Sequence, residues 1–176
     1  MRKRRHIFYW DSSVFVAFFN AEPGGENVRD LLQEAESGEI FIITSSFALV
    51  EVIKLKGADP ILVSEQDEIT AFFRKDYFRF VDATRKITES ARSLIWKTPG
   101  LWPKDAVHLA SAIEFARNHE LDCIHSYDKD FLKLNGKLPI SCPIQKPMPS
   151  QPGLGLDVEG AVKPPRKRKR SIELSN

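Results

Sequence analysis

Four acidic residues of the sequence occupy positions at which they could take part in catalysis. Asp11 and Asp128 each directly follow an apolar run that predicts a strand. Glu51 lies within a predicted helix, and Asp105 lies in the first turn of another. Four carboxylates gathered in one place repel one another, and a hard divalent cation relieves that repulsion. Such an ion polarises a phosphate and generates hydroxide from water, so the pattern indicates metal-dependent phosphodiester hydrolysis.

Each of these acids also has a simpler interpretation. The two acids that follow strands could be helix N-caps, and Asp105 could complement a helix dipole. Glu51 could pair at the surface with Lys54 or Lys56, although its neighbours one turn away on either side are apolar. His108 lies one turn from Asp105 and could touch the site, but a buried structural histidine explains it as well. The group of acids is therefore more informative than any one of them.

The elements that would position these acids alternate along the chain. Strands are predicted at 7–10, 40–43, 78–81, 123–127 and 139–144, and helices at 14–19, 26–36, 47–56, 65–75, 88–97 and 103–118. A short helix or turn is predicted over 128–134, and prolines limit the last strand to a sheet edge. This alternation predicts an α/β fold with a mainly parallel sheet. Ligands of such sheets bind beyond the carboxyl ends of the strands, which is where Asp11 and Asp128 are expected.

Length and composition predict one globular domain. The chain has 176 residues, of which 42% are apolar, including 12 Phe, and no apolar run is long enough to cross a membrane. The basic start at 2–5 is followed by an apolar run that already ends at Asp11, without a cleavage pattern, so a signal peptide is not expected. Cys123 and Cys142 are too few for a disulfide scaffold and are expected to be reduced core thiols. We therefore expect a cytoplasmic protein with no membrane partner.

Charge and composition change sharply near the C-terminus. Residues 147–176 are rich in Pro and Gly, and six of the eight residues in 163–170 are Lys or Arg. We predict a domain over 1–146 and a disordered basic tail over 147–176. The tail could add salt-dependent affinity for phosphates, act as a localisation signal, or be only a solvated run of charge. Between the two basic runs at 2–5 and 163–170 the chain is acidic, so a nucleic-acid substrate would need a cation where it approaches.

Four segments around the acids resemble the PIN domain family, especially the VapC-type toxins. They are Tyr9–Ser13, Thr44–Glu51, Lys104–Ala112 and Ser126–Phe131, and their order and spacing also match over about residues 6–145. The resemblance implies an α/β/α sandwich, with three layers around a short, mainly parallel sheet. It also implies a Mg²⁺- or Mn²⁺-dependent ribonuclease. The expected catalytic and metal-binding quartet is Asp11, Glu51, Asp105 and Asp128, with Ser13 and Asp130 as auxiliary or substrate-binding residues.

Three functions are compatible with this resemblance. The first is an endoribonuclease toxin of a type II toxin–antitoxin pair, a homodimer that binds RNA and is held inactive by a protein antitoxin. The second is a nuclease of RNA processing or decay without an antitoxin. The third is a non-catalytic PIN-fold module that binds RNA or protein, against which the complete acidic quartet argues.

Overall fold

A computed structural model of the chain describes residues 4–53, 61–134 and 139–143. Within these residues the elements follow in the order β1 (His6–Trp10), α1 (Ser12–Phe19), α2 (Gly25–Glu36), β2 (Ile40–Ser45), α3 (Ala48–Glu51), α4 (Val63–Phe73), β3 (Phe78–Val81), α5 (Arg85–Lys97), α6 (Pro103–Ala116), β4 (Cys123–His125), α7 (Lys129–Leu132) and β5 (Ile140–Ser141). The predicted boundary between residues 146 and 147, and the basic tail after it, lie outside the described residues.

The strands form one parallel sheet in the order β3-β2-β1-β4-β5. The chain moves outward from β1 through β2 to β3, and then returns to the other side of β1 for β4 and β5. The direction of winding therefore reverses between β1 and β4, where Trp10 lies opposite His125. In open parallel sheets, the crevice at this reversal is where ligands bind. The predicted α/β class and the edge position of the last strand are confirmed.

Helices cover both faces of the sheet, which makes three layers. Alternate residues of β1 point to opposite faces, so that Phe8 and Trp10 pack with α1, α2 and α4, while Tyr9 packs with α5 and α6. The first core contains many aromatic rings, with Phe15 at its centre against Phe73 at 5.1 Å between ring centroids. A sheet that is covered on both faces favours strands with consecutive apolar residues, as in the first four residues of β2.

Two local predictions are wrong. The helix predicted over 47–56 ends at Glu51, because Val52 leaves the helical conformation with a ψ of 69°. Its β-branched neighbours Val50 and Ile53 are poor helix formers, and both are exposed. Cys142 is exposed rather than in the core, whereas Cys123 is buried.

In the described part of the chain, none of the helices combines the length and the apolar character needed to span a membrane.

Candidate active site

Asp11 begins the site at the carboxyl end of β1. It is the N-cap of α1, where its Oδ1 accepts hydrogen bonds from the backbone N–H of Ser13 at 3.0 Å and from the Ser13 hydroxyl. Its Oδ2 accepts a hydrogen bond from the Ser126 hydroxyl at 2.6 Å. The carboxyl group is only 4% exposed, so these three donors replace the water that burial removes. The N-cap interpretation is thus correct, and it also holds Asp11 at the point where the winding reverses.

Two serines connect the ends of the two central strands. The Ser13 hydroxyl accepts a hydrogen bond from the backbone N–H of Tyr127 at 2.8 Å, directly after β4. The Ser126 hydroxyl, besides donating to Asp11, accepts from the backbone N–H of Asp128 at 3.0 Å. Ser13 was predicted as an auxiliary residue, whereas Ser126 was missed. Its signal in the sequence is a small hydroxyl residue directly after a strand, in the position that Ser12 and Ser13 occupy near the end of β1.

Glu51 reaches the site from the end of α3 and is held by a histidine of α6. Its Oε2 lies 2.7 Å from Nε2 of His108, which is 1% exposed. The other ring nitrogen of His108, Nδ1, lies 3.0 Å from the hydroxyl of Tyr9 on β1. Burial works against ionisation of Glu51, but the hydrogen bond and charge of His108, with further help from Ser12 and Lys104, hold the Glu51 pKa below its usual range. The pairing with Lys54 or Lys56 concerns residues outside the described part.

Asp105 and Asp128 meet at a lysine. Asp105 is in the first turn of α6 and is 5% exposed, and Asp128 is the N-cap of α7. The ammonium of Lys104 lies 3.8 Å from Asp105 Oδ1 and 3.6 Å from Asp128 Oδ2. The pKa of this lysine is raised, since Asp105, Asp128, Glu51 and Asp11 together outweigh the effect of its partial burial. The sequence analysis missed Lys104, although a basic residue in the first turn of a helix, where acids are favoured, is itself a signal.

The carboxyl groups of this edge are in electrostatic contact. The pKa of Asp105 is raised to about 6, chiefly by burial; the negative charges of Asp128 and Asp11 contribute to this rise, and Lys104 opposes it. Burial also raises the pKa of Asp11, although His108, Ser126 and Ser13 oppose this. A site that disfavours its own negative charge has a strong affinity for a cation. This is the electrostatic environment that the sequence led us to expect.

The donor chemistry of the site suits a hard divalent ion, because its ligands would all be carboxylate oxygens. Within residues 4–53, 61–134 and 139–143, however, no three His, Cys, Asp or Glu side chains stand close enough together to form a ready metal cluster. The Lys104 ammonium lies between Asp105 and Asp128 and supplies the positive charge there. The acids are thus brought to one edge with a lysine among them, and their role as metal ligands stays a prediction.

Asp130 lies apart from this group. Its carboxylate accepts a hydrogen bond from Lys133 at 2.6 Å, and both side chains are largely exposed. It lines the same surface cleft as Asp105, next to the loop that precedes α6. Asp130 therefore lies beside the site rather than within it, and its auxiliary role stays a prediction.

The side chains at this edge have the chemistry of cation ligands, and one of them is itself a cation. Asp11 is rigidly held, Glu51 is kept ionised by His108, and Lys104 supplies a cation that a phosphate could also contact. Metal-dependent phosphodiester hydrolysis does not need a protein nucleophile such as a serine with an adjacent histidine base.

One of three comparisons with known proteins gives a match. A search of curated proteins and a search of solved structures each give no match. The family model described as the PIN domain matches residues 8–137, which is most of the chain and includes all four predicted acids. PIN domains are generally nucleases and typically use a divalent metal. The parallel sheet, the acidic edge and the family match lead to one conclusion: the chain belongs to the PIN domain family.

Proposed function

We propose that this protein is a Mg²⁺- or Mn²⁺-dependent endoribonuclease. The observation that carries the proposal is the burial of Asp105 at this edge of the sheet, where the negative charges of Asp128 and Asp11 also act on it; together these effects raise its pKa to about 6. An edge with this excess of buried negative charge is suited to bind a divalent cation, and RNA supplies the phosphate on which such a cation acts.

Each acid has a part that follows from its surroundings. Asp11 and Asp105 are the expected direct ligands, and Asp128 completes the set where it now faces Lys104. Glu51, kept ionised by His108, orients water or contributes a further oxygen ligand. A bound Mg²⁺ or Mn²⁺ supplies the Lewis acidity that polarises the phosphate and activates water. Lys104, which contacts Asp105 and Asp128 in this structure, would be free to contact the phosphate if these carboxylates held a metal ion.

The activity is tested by incubating the purified protein with a panel of RNAs that includes tRNA and structured rRNA fragments. We expect cleavage with Mg²⁺ or Mn²⁺, none with EDTA, and none of single-stranded DNA of the same sequence. Cleavage that persists in EDTA would contradict the metal requirement. Absence of both cleavage and Mn²⁺ binding by calorimetry would favour the non-catalytic PIN-fold module instead.

For the biological role we propose the toxin of a type II toxin–antitoxin pair, acting as a homodimer. The support is the resemblance of the four acidic segments to VapC-type toxins. Induced expression should then arrest growth, and co-expression of a small protein from an adjacent gene should relieve the arrest. If expression leaves growth unchanged while the purified protein cleaves RNA, the processing or decay nuclease is the better assignment. The basic run at 163–170 suits either role, because it adds phosphate affinity.

A further inference from the structure

A cleft of about 190 Å³ opens beside Asp105. Three of its lining residues are apolar: Pro99 and Leu101 on the loop between α5 and α6, and Leu134 just after α7. Gly100 turns this loop with a φ of 82°, a left-handed conformation that favours glycine. The apolar lining thus stands directly next to a carboxyl group of the proposed catalytic edge, and nothing in the mechanism above uses it.

The polar lining of the cleft consists of Asp105, Asp130 and Lys133. Lys133 and Asp130 line it and form an exposed ion pair, and an exposed pair of this kind is weak and readily exchanged. Lys104 lies within 4 Å of both Asp105 and Asp128. A polynucleotide chain that passes Asp105 would therefore meet Lys104 beside this acid and Lys133 at the cleft.

We propose that this cleft binds the base of the nucleotide next to the scissile phosphate. The inference deepens the proposed function and rests on it, since it takes the phosphate to lie at Asp105. Bases have flat apolar faces that pack against apolar side chains, and single-stranded RNA is recognised through bases that are splayed out of the stack. The cleft is smaller than the roughly 300 Å³ at which pockets for whole drug-sized ligands begin. Its size and its mixed lining suit one base, with the attached phosphate near Lys133.

The first test uses small ligands that need no cleavage. We would titrate the full-length protein with each of the four nucleoside 5′-monophosphates and with ribose 5-phosphate, and follow backbone amide shifts by NMR. We expect shifts at residues 99–101, 105 and 130–134, and binding at least roughly tenfold weaker for ribose 5-phosphate, which lacks the base. If ribose 5-phosphate bound as tightly as the nucleoside monophosphates, the cleft would be a site for phosphate only, and the proposal would be overturned.

The second test fills the cleft. Leu134→Trp should weaken monophosphate binding about tenfold or more and raise the KM for RNA more than it lowers kcat. Leu62→Trp is the matched control, because Leu62 is an exposed leucine at the start of α4, outside the cleft. Lys133→Ala, with the exposed Lys129→Ala on the same helix as its control, should weaken binding of both the monophosphates and ribose 5-phosphate. If Leu134→Trp binds the monophosphates as the wild type does, the base is not in this cleft.

The base site and the nuclease assignment can each be overturned without the other. Metal-dependent RNA cleavage without base-dependent shifts in the cleft would overturn the base site and leave the nuclease assignment standing. Base-dependent shifts in the cleft without any RNA cleavage would retain a nucleotide site and overturn the nuclease assignment.

Discussion

The imidazole of His108 joins Glu51 to the core of the sheet. Its Nε2 lies 2.7 Å from Glu51 Oε2, and its Nδ1 lies 3.0 Å from the buried hydroxyl of Tyr9 on β1. α3 is a single short helix that ends at Glu51 and carries the exposed side chains of Leu49 and Val50. Of the four residues of this helix Ala48 alone is buried, and His108, with a further hydrogen bond from Ser12, holds the Glu51 carboxylate in place.

The first prediction concerns this contact. His108→Ala should lower the rate of RNA cleavage on the order of 10- to 100-fold, as is usual when a group that orients a ligand is removed. His108→Gln, which keeps a polar group in reach of Glu51, should recover part of that loss. The measurement is kcat at saturating RNA, with circular dichroism to verify folding. Equal rates for the two variants would contradict a positioning role.

The second prediction concerns the stability of the metal-free protein. Asp105 has a pKa of about 6 in the fold, above its ordinary value of 3.8. The folded state therefore binds this proton more tightly than the unfolded state, and the stability that it contributes is lost as pH rises from about 4 to 6. In EDTA at pH 7, Asp105→Asn should be more stable than the wild type by about 1–3 kcal/mol.

Urea unfolding of both proteins between pH 3.5 and 7.5 measures this difference, which should vanish below about pH 4. Added Mn²⁺ should then raise the Tm of the wild type and leave that of Asp105→Asn nearly unchanged, because ligand binding stabilises only a folded state that has the site. If Asp105→Asn were less stable than the wild type at every pH, the ionised Asp105 carboxylate would not destabilise the fold.

The third prediction concerns Ser126, which donates to Asp11 Oδ2 at 2.6 Å. Ser126→Ala removes a hydrogen bond to a buried charged group and should cost about 1.5–3 kcal/mol of unfolding free energy. It should also lower RNA cleavage, since Asp11 loses one of the donors that fix it. Ser93→Ala is the control, because the exposed Ser93 hydroxyl only donates to a backbone carbonyl of its own helix. Similar stability of the two variants would rule out this role for Ser126.

The fourth prediction concerns a histidine that the proposed chemistry does not use. His125 on β4 accepts a hydrogen bond from Trp10 Nε1 at 3.0 Å and stacks on Phe8, and burial lowers its pKa to about 3. Its ordinary pKa is 6.5, so the unfolded state binds this proton first, and stability falls as pH drops from about 6.5 to 3, by up to about 1.4 kcal/mol per pH unit. ¹⁵N NMR should show a neutral His125 ring down to pH 4. A ring that titrates between pH 5 and 7 would be inconsistent with its buried environment.

The sequence predicted the fold class and the placement of two acids, Asp11 and Asp128, for clear physical reasons. A strand such as β2 is apolar at consecutive positions because both of its faces are covered, and parallel strands place whatever follows them at one edge. Asp11 and Asp128 therefore came close together as expected. The family match confirms the resemblance at the level of the PIN domain.

Other parts of the site could not be predicted because they depend on packing between distant segments. Glu51 and His108 are 57 residues apart, and their contact depends on how α3 lies against α6. The contact of Lys104 with Asp128 likewise depends on how the start of α6 lies relative to the start of α7, which the pattern of apolar residues does not specify. The length of α3 was missed because the apolar run from 47 to 53 fits a helix in pattern, whereas its β-branched residues favour an earlier end.

One comparison tests the central claim most directly: RNA cleavage by wild type, Asp105→Asn and Asp67→Asn at equal protein concentration and saturating Mg²⁺. Asp67 is an exposed acid on α4, remote from the edge in sequence and without a role in the proposed chemistry. The account predicts that Asp67→Asn cleaves as the wild type does and that Asp105→Asn, although folded, has lost nearly all activity. Undiminished cleavage by Asp105→Asn would contradict the assignment of this acidic edge as the active site.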